Sequence, residues 1–439
     1  MSDAAPLLLF LVLFVLLLPG YPVAFTLGGV SLLFGVFTFG LDFFNLLPLR
    51  IWGVMTNYVL LAVPLFVYMG VMLEKSGLAE ELLETMALLF GRLRGGLAVA
   101  VVIVGALLAA TTGIVGATVV TMGLLSLPTM LKRGYSPELT TGTIAASGTL
   151  GQIIPPSIVL VLLGSVLNVP IGDLFIGAFV PGMLLVGFYL LWIVLVTRLA
   201  PHAAPAMPAE ERARFRGAAM VRKVTVAFLP PFLLMVAVLG SIFFGIASPT
   251  EAAAVGALGA TVLTLLQKRL NLATLRLVMR ETTFLTSMVF IILVGATAFG
   301  LVFRGLHGDR YLTELILHAN LSPHAFLALV MLVVFLAGFF IDFIEIIFII
   351  VPVVAPIFIK MQVDLLWLGI LLALNLQTSF LTPPFGFSLF YLKGVAPAEV
   401  TTAHIYRGVV PYILLQLLTL LLVIFLPQLA TWLPQFMGQ

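Results

Sequence analysis

The chain has 439 residues, of which 62% are hydrophobic and only 9% charged, and its mean hydropathy is +1.24. Soluble globular domains do not combine so few charges with such long apolar runs, so the composition indicates a membrane protein with ten or more passes. The net charge of +3 is scattered between apolar runs and does not indicate nucleic-acid binding, while the absence of cysteine excludes disulfides, thiolate nucleophiles and zinc–thiolate sites.

Two apolar segments, 4–19 and 22–40, are interpreted as the first two membrane spans. The first lacks the basic n-region and the small-residue cleavage site of a signal peptide. The following stretch, Asp42 to Asn57, is amphipathic and carries a basic and an aromatic anchor, so we expect a helix lying along the membrane interface. Residues 1–57 are therefore predicted to form the first part of a rigid scaffold.

The next part of the chain, 58–200, is predicted to begin a mobile transport domain. After a span at 58–74, the apolar run 97–131 is too long for one crossing of about 20 residues and too short for two. Small and polar residues at its centre predict a re-entrant hairpin whose tip lies near Thr112 and Gly116.

The segment 138–167 should cross the membrane as a broken helix. Pro155 and Pro156 follow Gly148 and Gly151, and proline removes a backbone donor and disfavours the helix before it. Hydrocarbon tolerates such a break only where the freed backbone lines a protein cavity or a polar site. The pattern therefore predicts a binding site at this depth, before a further span at 174–198.

The loop 201–223 is the richest in basic residues, including Arg212, Arg214 and Arg216, and the positive-inside rule places it in the cytoplasm. Tracing the chain outward with two re-entrant hairpins leaves four of the 21 Lys and Arg on the opposite side, and both termini fall there too. The four are Arg50, Arg304, Arg310 and Lys360.

The second half repeats this order. Spans at 224–244 and 250–266 and an amphipathic stretch from Lys268 to Glu281 make 224–281 the second scaffold part. Residues 282–439 contain spans at 283–303 and 408–430, a second hairpin at 324–360 and a second broken helix at 366–392. Its Pro383 and Pro384 lie 228 residues after the first proline pair. Matching interruptions in two halves predict an inverted-topology repeat and a secondary transporter. The predicted fold is all-α, with about ten spans and two re-entrant hairpins.

A broken helix offers two kinds of binding site. Its first half ends in free carbonyls, which suit a hard cation such as sodium, and its second half begins with free N–H groups, which suit a carboxylate. The predicted sodium ligands are Thr111, Thr118, Gly148, Thr149 and Gly151 in the first half and Asp342, Glu345, Gln377, Thr378 and Thr382 in the second. The predicted substrate contacts are Thr112, Gly113, Gly116, Pro156, Ser157, Asn375, Pro384 and Arg304.

Alternatives remain for several of these side chains. A threonine in a membrane helix often bonds the carbonyl four residues earlier, and Arg304 could anchor the helix at the interface or contact a partner instead of substrate. Acidic residues at membrane depth are costly, which favours a functional role for Asp342 and Glu345, although Glu345 could instead pair with a basic group or lie nearer the membrane surface.

In its motifs the chain resembles the large membrane subunit of tripartite ATP-independent periplasmic (TRAP) transporters. The matching stretches run in order along nearly the whole chain, and they include Gly20 to Phe25, Gly148 to Ser157, Ser248 to Ala254 and Leu381 to Gly386. Many members carry Ser-Gly-Ser at the first hairpin tip, whereas this chain has Thr112-Gly113-Ile114, so fewer hydroxyls carry over.

The resemblance implies a sodium-driven elevator importer of organic acids in the bacterial inner membrane. It implies two or more sodium ions, a small four-helix membrane subunit and a periplasmic substrate-binding protein, with no organic cofactor, nucleotide or nucleic acid. Two other interpretations stay open: a self-sufficient sodium–carboxylate symporter, and a channel or non-transporting assembly subunit. The chain has no GxxxxGK[ST] motif and no nucleophile–base pair, so neither ATP-driven transport nor enzymatic catalysis is indicated.

Overall fold

The computed structural model describes residues 5–17, 19–113, 115–208, 217–319 and 321–438, and the regular elements in these residues are all helices. The all-α fold predicted from the sequence is confirmed. Arg212, Arg214 and Arg216 of the predicted cytoplasmic loop lie outside the described residues.

The first half consists of ten α-helices and three short 3-10 turns within the described residues. The helices are α1 (Ala5–Leu17), α2 (Val23–Phe39), α3 (Leu47–Met55), α4 (Ala62–Lys75), α5 (Leu78–Leu89), α6 (Gly96–Thr112), α7 (Val115–Lys132), α8 (Pro137–Thr149), α9 (Ile158–Leu167) and α10 (Ile171–Leu199). The 3-10 turns are Leu41–Leu46, Tyr58–Leu61 and Leu150–Gln152.

The second half follows a comparable order. Its helices are α11 (Ala218–Lys223), α12 (Leu229–Phe243), α13 (Pro249–Leu266), α14 (Leu272–Gly305), α15 (Gly308–His318), α16 (Pro323–Ala337), α17 (Phe343–Ile349), α18 (Val351–Lys360), α19 (Leu365–Leu381), α20 (Phe387–Val395), α21 (Thr402–Phe425) and α22 (Gln428–Met437). A π-helical turn, Val224–Phe228, joins α11 to α12.

Seven helices in the described ranges are long and apolar enough to cross a membrane, or eight if the bent pair α17–α18 is one span. Six of the seven coincide with predicted spans: Tyr58–Lys75, α10, Met220–Phe243, α13, α14 and α21. The seventh, α7, is the returning arm of the first predicted hairpin. The first two predicted spans are shorter helices, with 13 residues in α1 and 17 in α2.

The amphipathic stretch Lys268 to Glu281 does not form the separate interfacial helix predicted for it. From Leu272 it is the beginning of α14, a continuous helix of 34 residues, and Asn271 caps that helix with its side-chain oxygen, 2.8 Å from the Thr274 nitrogen. No glycine or proline interrupts the stretch from 272 to 294, so nothing in the local sequence ends the helix. In the first half, the corresponding stretch is divided by a non-helical segment at Thr56–Asn57.

Helices at matching places in the two halves pack in reciprocal pairs. α2 packs against α14 and α4 against α13, while α8 packs against α21 and α19 against α10. The halves are therefore interleaved, and each completes the packing of the other.

The chain after α10 is more ordered than a solvated loop. Backbone N–H groups of Gly95 and Ser136 donate to the carbonyls of Ala204 and Ala203 at 3.0 and 2.9 Å, and Met207 donates to Gly91 at 3.0 Å. These bonds fasten residues 203–207 across the base of the α6–α7 hairpin. A basic composition alone gave no sign of this packing.

Candidate functional site

Both predicted helix breaks are present, and a serine secures each. α8 ends at Thr149, and α9 resumes at Ile158 with Ser157 as its N-cap. The buried Ser157 hydroxyl donates to the Gln152 carbonyl at 2.8 Å and accepts from the Leu160 N–H at 3.5 Å. The side chain thus satisfies backbone groups that the proline pair leaves without helical partners.

A serine hydroxyl also stabilises the second break, but this serine lies within the second half-helix instead of capping it. α19 ends at Leu381 and α20 begins at Phe387, and the buried Ser388 hydroxyl donates to the Phe380 carbonyl at 2.8 Å. The Thr382 hydroxyl donates to the Thr378 carbonyl at 2.7 Å, so its lone pairs point away from the helix. Pro384 is exposed, and its carbonyl accepts from the Tyr406 hydroxyl at 3.0 Å.

The first hairpin tip lies between the two second half-helices. Gly113 has φ +60, and a Cβ there would lie 2.8 Å from the Ile158 side chain at the start of α9. A Cβ on Gly116 would lie 2.8 Å from the Tyr391 ring on α20. Only glycine combines this backbone conformation with such close approach at Gly113. The side chains of Thr111 and Thr112 lie outside the described part of the structure.

At the second hairpin tip, both acidic residues cap α17. The Asp342 carboxylate accepts from the Phe343 N–H at 2.8 Å, and the Glu345 carboxylate accepts from the Asp342 N–H at 3.1 Å. Together they form a capping box. In the described residues neither carboxylate has a basic partner, so the pair leaves carboxylate oxygens available for a cation. The sequence D-x-x-E carried the capping signal, which the sequence interpretation did not use.

A buried hydrogen-bond network joins the two halves beside the first break. The Thr149 hydroxyl donates to the Ala146 carbonyl at 2.8 Å and accepts from the Gln416 and Gln377 amides at 3.2 and 3.5 Å. The Gln416 amide also donates to the Tyr189 hydroxyl at 2.8 Å. Gln377 lies 228 residues after Thr149, and Gln416 lies 227 residues after Tyr189. Both interhelical bonds therefore join numerically equivalent positions.

Two tyrosines extend this network. The rings of Tyr189 and Tyr412 meet edge to face, 5.0 Å apart, and the Tyr412 hydroxyl lies 2.7 Å from the Thr143 hydroxyl. Several buried amide atoms have no hydrogen-bond partner among the described residues: Oε1 of Gln152, Gln377 and Gln416, and Nε2 of Gln152. The sequence interpretation missed Gln152, Tyr189, Gln416 and Tyr412. The 227-residue spacing of polar residues in otherwise apolar helices was the available signal.

Replacing Gln416 by leucine is expected to lower the free energy of unfolding by about 1 kcal/mol, because the Tyr189 hydroxyl and Thr149 hydroxyl each lose a buried donor. A double-mutant cycle with Tyr189→Phe should give a coupling of about 0.6 kcal/mol, typical of interhelical hydrogen bonds in membranes. Unfolding in mixed micelles measures both values. Strict additivity of the two substitutions would contradict the hydrogen bond.

The remaining predicted sodium ligands are buried in the packing around the two breaks. Thr118 and Gly148 are buried where α7 packs against α8, and a Cβ on Gly148 would contact Val119. A Cβ on Gly151 would lie 2.5 Å from the Ala109 carbonyl, so the break sits directly against the hairpin arm α6. Thr378 donates its hydroxyl to the Leu374 carbonyl at 2.8 Å.

Two predicted substrate contacts are placed elsewhere. The buried Asn375 amide donates to the Met331 carbonyl of α16 at 2.8 Å and so joins α19 to the second hairpin. Arg304 lies near the end of α14 and lines a cavity whose lining includes none of the described tip residues. The structure thus gathers the breaks and tips but does not bring Arg304 to them.

Residues 10–429 match the model of the family described as "Tripartite ATP-independent periplasmic transporter, DctM component". The chain is 33% identical to the C4-dicarboxylate TRAP transporter large permease protein of Pseudomonas aeruginosa, over 93% of this chain and 94% of that protein. It is 29% identical to the sialic acid TRAP transporter large permease protein of Vibrio cholerae, over 96% and 97% of the two chains.

A solved structure with a similar fold is the YdaH transporter of Alcanivorax borkumensis. The TM-score is 0.61 with 16% sequence identity, over 99% of this chain and 98% of that one. At this identity the likeness concerns the fold alone.

Proposed function

Because the chain belongs to the DctM-component family of TRAP transporters, as a large membrane permease subunit, we propose that it imports small organic acid anions by sodium symport. The single observation that carries this proposal is the family match over residues 10–429. The substrates in the names of two relatives, C4-dicarboxylate and sialic acid, are both organic acids. These two acids differ widely in size, and neither is assigned to this chain.

The geometry of the breaks supports sodium as the coupling ion. Sodium prefers oxygen ligands, and the second break offers the Thr382 hydroxyl, whose proton is already directed at the Thr378 carbonyl. The Asp342 carboxylate at the neighbouring tip supplies the negative charge that a desolvated cation needs. In the first half, the Thr149 hydroxyl is occupied by two glutamine amides. The second break is therefore the better-prepared cation site.

The first tip supports an anion site beside it. Gly113 lies against the N-terminal residues of α9, and Gly116 lies against α20. The free N–H groups of a helix start attract a carboxylate. A substrate held between these half-helices would be separated from the second-half cation site by a few side chains, so each ligand would raise the affinity of the other.

The proposal includes an elevator movement and two partners. The hairpins and broken helices would carry the ligands past a scaffold built from α1–α3, α12, α13 and the beginning of α14, residues 272–281. The word "tripartite" in the family description supports a small membrane subunit and a periplasmic binding protein, and the assembly would lie in the bacterial inner membrane with both termini periplasmic.

Radiolabelled uptake tests the proposal. Proteoliposomes containing this chain and its small subunit should accumulate a carboxylate only with an inward sodium gradient and the binding protein. Uptake without the binding protein would instead support a self-sufficient symporter. Sodium-independent uptake would overturn the coupling, and an electrodiffusive current would indicate a channel.

A pair of threonine substitutions locates the cation site. Thr382→Val should raise the sodium concentration for half-maximal uptake about tenfold, the loss expected for one hydrogen-bonding or ligand group. Thr264→Val is the matched control, because its hydroxyl makes the same bond to the carbonyl four residues earlier, at 2.8 Å, on α13. Equal sodium dependence in the two variants would contradict the assignment of Thr382.

A further inference from the structure

A cavity of about 570 Å³ lies apart from both tips. Its walls come from α3, the C-terminal ends of α9 and α14, and the returning arm α17–α18. Asn57 and Ser165 meet across it, with the Asn57 amide 3.4 Å from the Ser165 hydroxyl. This volume lies within the range of small-molecule sites.

The charged side chains that line the cavity are Arg50, Arg304 and Asp309, which gives two positive charges against one negative. Among the described residues neither arginine forms an ion pair. Arg304 donates its Nε to the Gly300 carbonyl at 3.2 Å and keeps its terminal nitrogens for other acceptors. Two guanidinium groups that lack carboxylate partners in one concavity create a positive potential that attracts anions.

The facing wall is apolar. It consists of side chains of the returning hairpin arm, among them Phe348, Val353 and Pro356. A fully hydrated inorganic ion gains nothing from such a wall, whereas an organic anion can place its carboxylate at the arginines and its carbon skeleton against the hairpin.

We propose that this cavity is a second, outer station for small organic anions, in which Arg50 and Arg304 hold a carboxylate before it reaches the site between the tips. The inference rests on the proposed anion import. The predicted orientation agrees with an outer position of this cavity. Arg50 and Arg304 belong to the four basic residues that the charge distribution leaves on the predicted periplasmic side.

The absence of cysteine in the chain makes a direct test possible. Thr297, half-buried in the lining, is replaced by cysteine, and proteoliposomes of neutral lipid are labelled with anionic and cationic methanethiosulfonate reagents. The anionic reagent should react faster. Adding Arg50→Gln and Arg304→Gln should lower the ratio of anionic to cationic rates about tenfold. Lys360→Gln, on an exposed residue outside the lining, should leave the ratio unchanged.

Ligand protection and conservative variants complete the experiment. Benzoate should slow the labelling of the Thr297→Cys variant by neutral methyl methanethiosulfonate. Adding Arg50→Gln and Arg304→Gln should abolish this protection. Arg50→Lys with Arg304→Lys should keep the rate ratio, which shows that loss in the glutamine pair is not misfolding. A rate ratio insensitive to the arginines would overturn the proposal. If added phosphatidylglycerol slows the labelling and benzoate does not, the proposal is also overturned, and the cavity is identified as a lipid headgroup site.

The labelling does not depend on transport. Arginine-dependent labelling in a preparation that accumulates no carboxylate would overturn the importer proposal and leave the outer station in place. Sodium-driven uptake together with arginine-independent labelling would overturn the outer station and leave the importer proposal in place.

Discussion

Gly142→Ala is expected to lower the free energy of unfolding by about 2 kcal/mol, because a Cβ at this position would overlap the carbonyl of Gly408. Here α8 and α21 cross backbone to backbone, and a Cβ on Gly408 would in turn meet the Glu138 carbonyl. Small residues permit such crossings in membrane proteins. A Cβ at Gly142 would also lie 3.0 Å from the Tyr412 ring, so the shift should reach the network around Tyr189 and reduce uptake.

Gly187→Ala is the matched control. Gly187 lies inside α10 with open space where a Cβ would be, so alanine there should raise stability by up to about 1 kcal/mol through helix propensity. Thermal unfolding of the purified proteins compares the two. If both substitutions shift the midpoint in the same direction by the same amount, the close crossing of α8 and α21 is wrong.

Asp342→Asn is expected to raise the sodium concentration for half-maximal uptake about thirtyfold, which corresponds to the loss of about 2 kcal/mol in one charged contact. Asparagine caps a helix as well as aspartate does. The start of α17 should therefore persist while one of the two carboxylates at the second tip loses its charge. Sodium titration of binding-protein-dependent uptake measures the change.

Asp342→Ala separates the two roles of this residue. Alanine removes the cap as well as the charge, so it should cost about 1 kcal/mol of stability in addition to the sodium affinity. Glu345→Gln keeps its part of the capping box and should alter sodium dependence less, since its carboxylate already accepts from the Asp342 N–H. Wild-type uptake in Asp342→Asn together with loss in Asp342→Ala would show that Asp342 serves only as a cap.

Features that depend on neighbouring residues could be predicted from the sequence. The breaks at Pro155 and Pro383 follow from the missing N–H of proline, and the first tip follows from glycine at 113, which adopts φ +60. Hydrophobic length located most of the long helices. Four of them, Tyr58–Lys75, α10, Met220–Phe243 and α13, lie within about four residues of the predicted bounds, whereas α14 begins at 272 instead of 283 and α21 at 402 instead of 408.

Features that depend on distant residues could not. Nothing near Thr149 shows that its hydroxyl meets amides 228 and 267 residues away, since the crossing of α8, α19 and α21 brings them together. Likewise, the helices packed around α14 determine that Arg304 lines a cavity away from the tips. The extension of α14 through the expected interfacial stretch was a local miss, caused by giving amphipathic character more weight than the absence of a helix breaker.

The hydrogen bonds between Thr149 and Gln377, and between Tyr189 and Gln416, join unlike side chains at positions about 228 residues apart. A homodimer of either half alone would place identical residues opposite one another across its twofold axis. In a dimer of the first half, two copies of Thr149 would be too short to form the hydrogen bond that Gln377 now makes. In a dimer of the second half, two copies of Gln377 would have to fit into the space that one glutamine and one threonine now fill. Because the paired residues differ, each half needs the other to complete these hydrogen bonds, and recombination that exchanges one half between relatives must carry the matching residue of the other half with it.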